Sequence, residues 1–482
     1  MRSHIMSGAV PALGGVDSAP RQQALPATPS QFPANFTWGV ATAAYQIEGA
    51  VDADGRRPSI WDTFSHTRGK VLNGDTGDQA CDHYHRWRED VALLRELGVG
   101  AYRFSIAWPR ILPDGTGEAN IQGLDWYERL VDALLEGGIR PWVTLYHWDL
   151  PQPLEDRGGW AERATADAFV QLAEAVARRL GDRVGTWSTL NEPWCSAFLG
   201  YQLGIHAPGK TDPSLALAAS HTLLLGHGRA VEALRAACPA ARVGIVLNPS
   251  PVEAASDAEA DVAAASRADG YLNRWFLDPL YGRGYPADMV DLFGARFAVP
   301  SDADMRTIAA PIDFLGLNYY RPTLVRANMA DSWLRFSSVR PTDEPVTQMD
   351  WVVRPRGLRE LLERVQRDYP VSDLVITENG AAYADAVSVD GAVHDAERTR
   401  YIAEHIHAVG AAIQIGVPVT GYFVWSLLDN FEWAQGYSNR FGLVYVDYAT
   451  QRRTVKDSGR WYQGMIAAQP RAQYATPART ST

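Results

Sequence analysis

Two glutamates stand bare at the ends of β-branched runs: Glu192 in Thr189-Leu190-Asn191-Glu192-Pro193 and Glu378 in Ile376-Thr377-Glu378-Asn379-Gly380. A carboxyl pair facing across a pocket can split a glycosidic bond, one member protonating the leaving oxygen while the other attacks the anomeric carbon or activates water. A structural ion pair would instead give each Glu its own Arg, and the sequence beside Glu192 supplies none. Other run ends add Ala44-Tyr45-Gln46, His147-Trp148-Asp149, Asn318-Tyr319-Tyr320 and Trp425-Ser426. Helix capping favours small Ser, Thr, Asp and Asn, which accounts for Asp149 or Asn248 alone but not for this mixture of large amides, carboxylates, indoles and phenols. Such a mixture suits a sugar, whose hydroxyls take paired hydrogen bonds and whose apolar ring face packs on aromatic planes.

Residues so far apart in the chain meet only if a scaffold gathers the run ends. Strand-like runs are read at Thr37–Ala41, Ala101–Ala107, Arg140–Tyr146, Val184–Leu190, Arg242–Leu247, Ile312–Leu317, Leu374–Thr377 and Val419–Trp425. Segments of helical period lie between them, among them Tyr84–Leu97, Asp125–Leu135, Ala164–Leu180, Leu215–Ala236, Leu358–Asp368 and Glu397–Ile415. Eight such alternations predict the α/β class and a single closed (β/α)8 TIM barrel, whose catalytic face is the C-terminal ends of the strands. The fourth and seventh strands would then place Glu192 and Glu378 across one mouth.

The composition narrows the partners. A formal charge of −11 and the lack of a Lys/Arg cluster disfavour nucleic acid. Of 45 basic residues only Lys70, Lys210 and Lys456 are lysine, which reads as codon bias. Cys81, Cys195 and Cys238 are too widely spaced for a disulfide framework or a metal site, so a reducing cytoplasm is expected. His83 and His85 point to different sides of a predicted helix and are read as structural. No cofactor or metal is called for. Nothing is long and apolar enough to span or anchor in a membrane. Residues 1–31, rich in Pro, Ala, Ser and Gly, are expected to be a disordered tail, partly a cloning remnant over Met1–Met6. The catalytic domain is placed at 32–468 and a second disordered tail at 469–482.

From Phe32 to Gln463 the chain resembles glycoside hydrolase family 1. The resemblance is carried by Phe36-Thr37-Trp38-Gly39, Ala44-Tyr45-Gln46-Ile47-Glu48-Gly49, Tyr102-Arg103-Phe104-Ser105-Ile106, His147-Trp148-Asp149-Leu150-Pro151, the two Glu motifs, and Trp425-Ser426-Leu427-Leu428-Asp429-Asn430-Phe431-Glu432-Trp433. It implies a retaining β-glycosidase, most simply a β-glucosidase, with Glu192 as acid/base and Glu378 as nucleophile. It also implies that Arg103 supports the charge on Glu378, that Tyr320 orients it, and that Asn318 belongs to the catalytic group. Gln46, His147, Trp148, Asn191, Trp425, Glu432, Trp433 and Phe441 match residues that bind the sugar, and Trp351 matches a wall of the acceptor site. The expected partner is a small β-glucoside or cello-oligosaccharide, with a role in cellulose and polysaccharide breakdown; assembly into a homo-oligomer is left open.

Rival readings are weaker. A 6-phosphoglycosidase would carry a small neutral residue where Glu432 stands, with Lys and Tyr nearby for the phosphate. A thioglucosidase of the family lacks the acid/base carboxylate, and a sugar-binding relative without chemistry usually lacks one of the pair. A metal-dependent isomerase needs carboxylate and His ligands at several strand ends. The preference among glucose, galactose and fucose, and the aglycone, stay open.

Overall fold

A computed structural model describes residues 32–331 and 333–470. The tail over 1–31 and most of the one from 469 lie outside the described residues; Gln469 is buried.

Eight parallel strands form the closed barrel: β1 (Thr37–Ala41), β2 (Ala101–Ser105), β3 (Arg140–Tyr146), β4 (Thr186–Asn191), β5 (Arg242–Leu247), β6 (Phe314–Asn318), β7 (Leu374–Asn379) and β8 (Val419–Trp425). Each pairs with its sequence neighbour, and β1 pairs with β8 from Thr37↔Gly421 to Ala41↔Trp425, which closes the ring. All eight expected strands are present, four with the expected bounds. The others differ at their ends by up to two residues. β2 stops at Ser105, and β4, β6 and β7 run further toward the mouth, so that Asn191, Asn318 and Glu378 belong to the strands themselves.

Outer helices follow the expected periodicity: α1 (His83–Leu97), α2 (Ile121–Glu136), α3 (Ala164–Leu180), α4 (Pro213–Ala237), α5 (Pro355–Asp368) and α6 (Ala396–Gln414). In α3, Phe169, Leu172, Val176 and Leu180 recur every three or four residues and are fully buried, giving one apolar stripe toward the sheet. α4 begins where Asp212 accepts a hydrogen bond from the Ser214 amide and Pro213 takes the first helical position, where no amide partner is needed. α1 ends at Gly98 in the left-handed conformation.

Beneath the mouth the barrel is filled by aromatic rings. Trp142 of β3 meets Phe314 of β6 and Phe423 of β8 edge-on, with centroids 4.9 and 5.0 Å away, a geometry worth about 0.5–1.5 kcal/mol per pair beyond area burial. Gly39 makes room for this plug, since a Cβ there would lie 2.4 Å from the Phe423 ring. Two small sheets escaped the sequence reading. One joins Val252–Ala254, Thr323–Ala327 and Phe336–Val339 beside the mouth; the other pairs Val444–Asp447 with Arg452–Val455.

Candidate active site

The two glutamates reach one cavity because their strands break register just below the mouth. Pairing of β7 with β6 slips between Ile376 and Glu378, setting Glu378 opposite Asn318, and pairing of β4 with β5 slips between Ser188 and Asn191. Such irregularities re-aim side chains at barrel rims. Glu192, the residue after β4, has φ 46°, and Trp148 and Trp433, which also line the cavity, have φ 79° and 50°. Left-handed backbone at non-glycine residues costs energy and persists where the surroundings enforce it. Gly380 is enforced by contact instead: a Cβ there would fall 1.8 Å from the Trp425 carbonyl oxygen.

Glu378 is held at both oxygens. Arg103 Nη1 donates to Oε1 at 2.6 Å and Tyr320 Oη donates to Oε2 at 2.7 Å. Burial, followed by the charge on Glu378, pushes the Tyr320 phenol well above its ordinary range, so it stays a donor. Glu192 has no cation beside it. Asn318 Nδ2 donates to its Oε1 at 2.6 Å and the Cys195 thiol to its Oε2 at 3.0 Å. Burial first, then repulsion from Glu378, pushes Glu192 up to about 7. One carboxyl is therefore placed to carry charge and the other to carry a proton.

Asn191 joins the two. Its Oδ1 accepts from Arg103 Nη2 at 2.6 Å and from Asn318 Nδ2 at 3.1 Å, while its Nδ2 donates to His147 Nε2 at 3.0 Å. Burial, then Arg103, drives His147 well below its ordinary pKa, leaving a neutral ring whose Nδ1 has no protein partner. Glu432 Oε2 and Gln46 Oε1 are likewise buried without partners. Unsatisfied buried polar atoms are costly, and a ligand's hydroxyls would relieve them. Trp433 lines the cavity against two further rings, 4.5 Å from Trp148 and 4.6 Å from Trp61 between centroids.

The cavity encloses about 540 Å³. Its lining contains Glu192, Glu378, Asn318, Tyr320, His147, Trp148, Asn191, Trp351, Trp425, Glu432, Trp433 and Phe441 from the sequence reading. Arg103 lies behind Glu378. Gln46 sits behind the wall: its Nε2 donates to Asn430 Oδ1 at 3.0 Å and to the Phe431 carbonyl at 2.8 Å, which fixes the loop carrying Glu432. Burial, then Glu378 and Glu192, pushes Glu432 up to about 8, which leaves it largely protonated near neutrality.

Asn248, Gln435, Met349, Arg321 and Ile205 also line the cavity. They sit in loops without a chemical signature, although Arg321 directly follows the strand-end Tyr320. Among the described residues no group of three or more His, Cys, Asp or Glu could hold a metal, and no helix is long and apolar enough to cross a membrane. His83 bonds Asp90 at 2.8 Å and His85 bonds Asp82 at 2.6 Å.

Comparisons with known proteins agree with this geometry. The model of Glycosyl hydrolase family 1 matches residues 28–470. Beta-glucosidase A of Thermotoga maritima is 51% identical over 439 residues, covering 90% of this chain and 98% of that protein. A bifunctional beta-D-glucosidase/beta-D-fucosidase of Bifidobacterium breve is 49% identical over 457 residues, covering 90% and 98%. The solved beta-glucosidase from Thermotoga maritima in complex with glucoimidazole superposes with a TM-score of 0.88 at 50% identity, covering 91% of this chain and 99% of that one.

Proposed function

The chain belongs to glycosyl hydrolase family 1 and is a retaining β-glucosidase, and we propose that Glu378 is its nucleophile and Glu192 its acid/base. The observation that carries the assignment is the contrast between the two carboxyls: Glu378 held by Arg103 and Tyr320, Glu192 buried without a cation and pushed up to about 7. In the first step a Glu378 oxygen attacks the anomeric carbon as Glu192 passes its proton to the departing glycosidic oxygen. The ester so formed no longer bears the charge that raised Glu192. Its pKa then falls, though burial keeps it above the ordinary value, and Glu192 takes a proton from water as that water attacks the anomeric carbon and frees Glu378. Asn191 has an amide proton for the 2-hydroxyl, and Glu432, His147 and Gln46 supply partners for the remaining hydroxyls beside Trp433.

The cavity holds one sugar and a modest aglycone, which supports removal of terminal glucose from cellobiose, short cello-oligosaccharides and aryl glucosides, and through these a part in cellulose breakdown. Three buried free cysteines support a reducing, cytoplasmic setting. Activity on β-fucosides is the second reading, favoured by the bifunctional Bifidobacterium relative.

Azide separates the two roles. Glu192→Ala will cleave only activated aryl glucosides and stall for want of a base; azide, which needs none, will restore turnover and give the β-glucosyl azide. Glu378→Gly will give the α-azide, by attack from the vacated side. Wild type releasing α-glucose first, or both variants keeping near-native rates without azide, overturns the assignment.

A further inference from the structure

Arg321, Thr323, Met349 and Trp351 border the catalytic cavity and also a second groove of about 340 Å³, whose far side is Ser338 and Val339 of the outer strand Phe336–Val339. These four side chains are shared by the two spaces.

The charge at that junction is unmatched. The Arg321 guanidinium lies over the Trp351 ring, 5.8 Å from its centroid, and makes no hydrogen bond or ion pair with any described residue. Its groove neighbours are different: Arg354 is engaged by Glu253 and Glu344, and Arg340 by Asp350 at 3.2 Å. Arg321 is open to solvent yet sunk among protein atoms, and burial lowers its pKa with no carboxylate acting against it. The aromatic ring is within cation–π reach of the guanidinium, whose N–H groups suit a bidentate acceptor. Of the acidic groups around the site, Asp350 of the groove lining is paired with Arg340 and Glu378 with Arg103, while Glu192 and Glu432 are largely protonated below neutrality.

We propose that Arg321, with the groove beyond Trp351, forms an acceptor subsite for aglycones that carry a carboxylate about one ring away from the glycosidic oxygen. The proposal rests on the β-glucosidase reading above and deepens it. It predicts selection among glucosides by aglycone charge rather than by aglycone size.

The test uses two matched substrates, 4-(carboxymethyl)phenyl and 4-(carbamoylmethyl)phenyl β-glucoside, whose methylene insulates the leaving oxygen from the charge. The readout is the ratio of their kcat/KM values at about pH 6, where the carboxymethyl group is ionised. Wild type should favour the acid by about tenfold at low salt, the size of one charge-assisted hydrogen bond, and lose the preference as salt screens it. Arg321→Gln should bring the ratio to about one or below, Arg321→Glu should reverse it, and Arg321→Lys should keep part of it. Because the ratio is internal to each variant, partial misfolding does not imitate the result. A wild-type ratio near one, or the same ratio in Arg321→Gln, overturns the subsite while leaving the glucosidase reading intact. Failure to cleave either glucoside overturns both.

Discussion

Glu378 is joined to Glu192 by an unbroken run of hydrogen bonds through Arg103, Asn191 and Asn318. One carboxyl accepts from a guanidinium and the other from an amide, so only one has a cation as its hydrogen-bond partner. Charge moved at one end is felt at the other both through space and through this run.

The acid form of Glu192 exists below its pKa of about 7, so kcat/KM should fall as pH rises through that value. Glu378→Gln removes the repelling charge and should move the Glu192 titration down, read by carbon NMR of labelled glutamate. Burial, the larger cause, should hold it above the ordinary 4.5. An unmoved titration would show that the two carboxyls do not sense one another.

Glu432→Ser should lower kcat/KM for gluco- and galacto-configured substrates by about 2- to 10-fold, the loss of one hydrogen bond to a neutral carboxyl at about 0.5–1.5 kcal/mol. Steady-state kinetics on p-nitrophenyl β-glucoside and β-galactoside check it. An unchanged specificity constant would place Glu432 outside the sugar's reach.

Trp351 stands 5.2 Å from Tyr320 and 6.1 Å from Phe441 between ring centroids, at the border of the cavity and the groove beyond it. Trp351→Ala should therefore impair cellobiose more than an aryl glucoside with a good leaving group, through KM or kcat. Equal losses on both substrates would argue against an acceptor role.

Lys456 is fully buried and bonds both Asp429 (2.6 Å) and Asp385; Asp429 also takes Arg440 at 2.7 Å, and Asp385 takes Arg398 at 2.7 Å. Lys456→Met leaves these carboxylates short of a cation and should cost about 3–5 kcal/mol, seen as a lowered denaturation midpoint. Lys70→Met, at an exposed lysine, should stay within about 0.5 kcal/mol. Similar midpoints for the two variants would show that the buried network carries little stability.

The barrel was legible because its strands are short β-branched runs separated by helices whose apolar stripe recurs, as in α3, and both signals are local. The site was legible where large polar and aromatic residues end a strand, as at Glu192, Glu378 and Tyr320. Gln46 illustrates the limit: its Nε2 is spent on Asn430 and Phe431 and only Oε1 is left for a ligand, a contact between distant parts of the chain that no local pattern encodes. The protonation of Glu432 was hidden for a related reason, since it depends on how much water the folded pocket excludes. The sheet that carries the groove beyond Trp351 was missed because its strands are short and half-exposed, without a clear alternation.

Gln46 follows β1 and bonds the loop that follows β8, and these are the two strands whose pairing closes the ring. Phe431 answers from the other side, its amide donating to the Gln46 carbonyl at 3.2 Å. The beginning and the end of the chain thus interlock at the point where Glu432 is presented. A polypeptide that ends before the final strand would have Glu192 and Glu378 but neither Glu432 nor Trp433, and the site is complete only when the last strand docks.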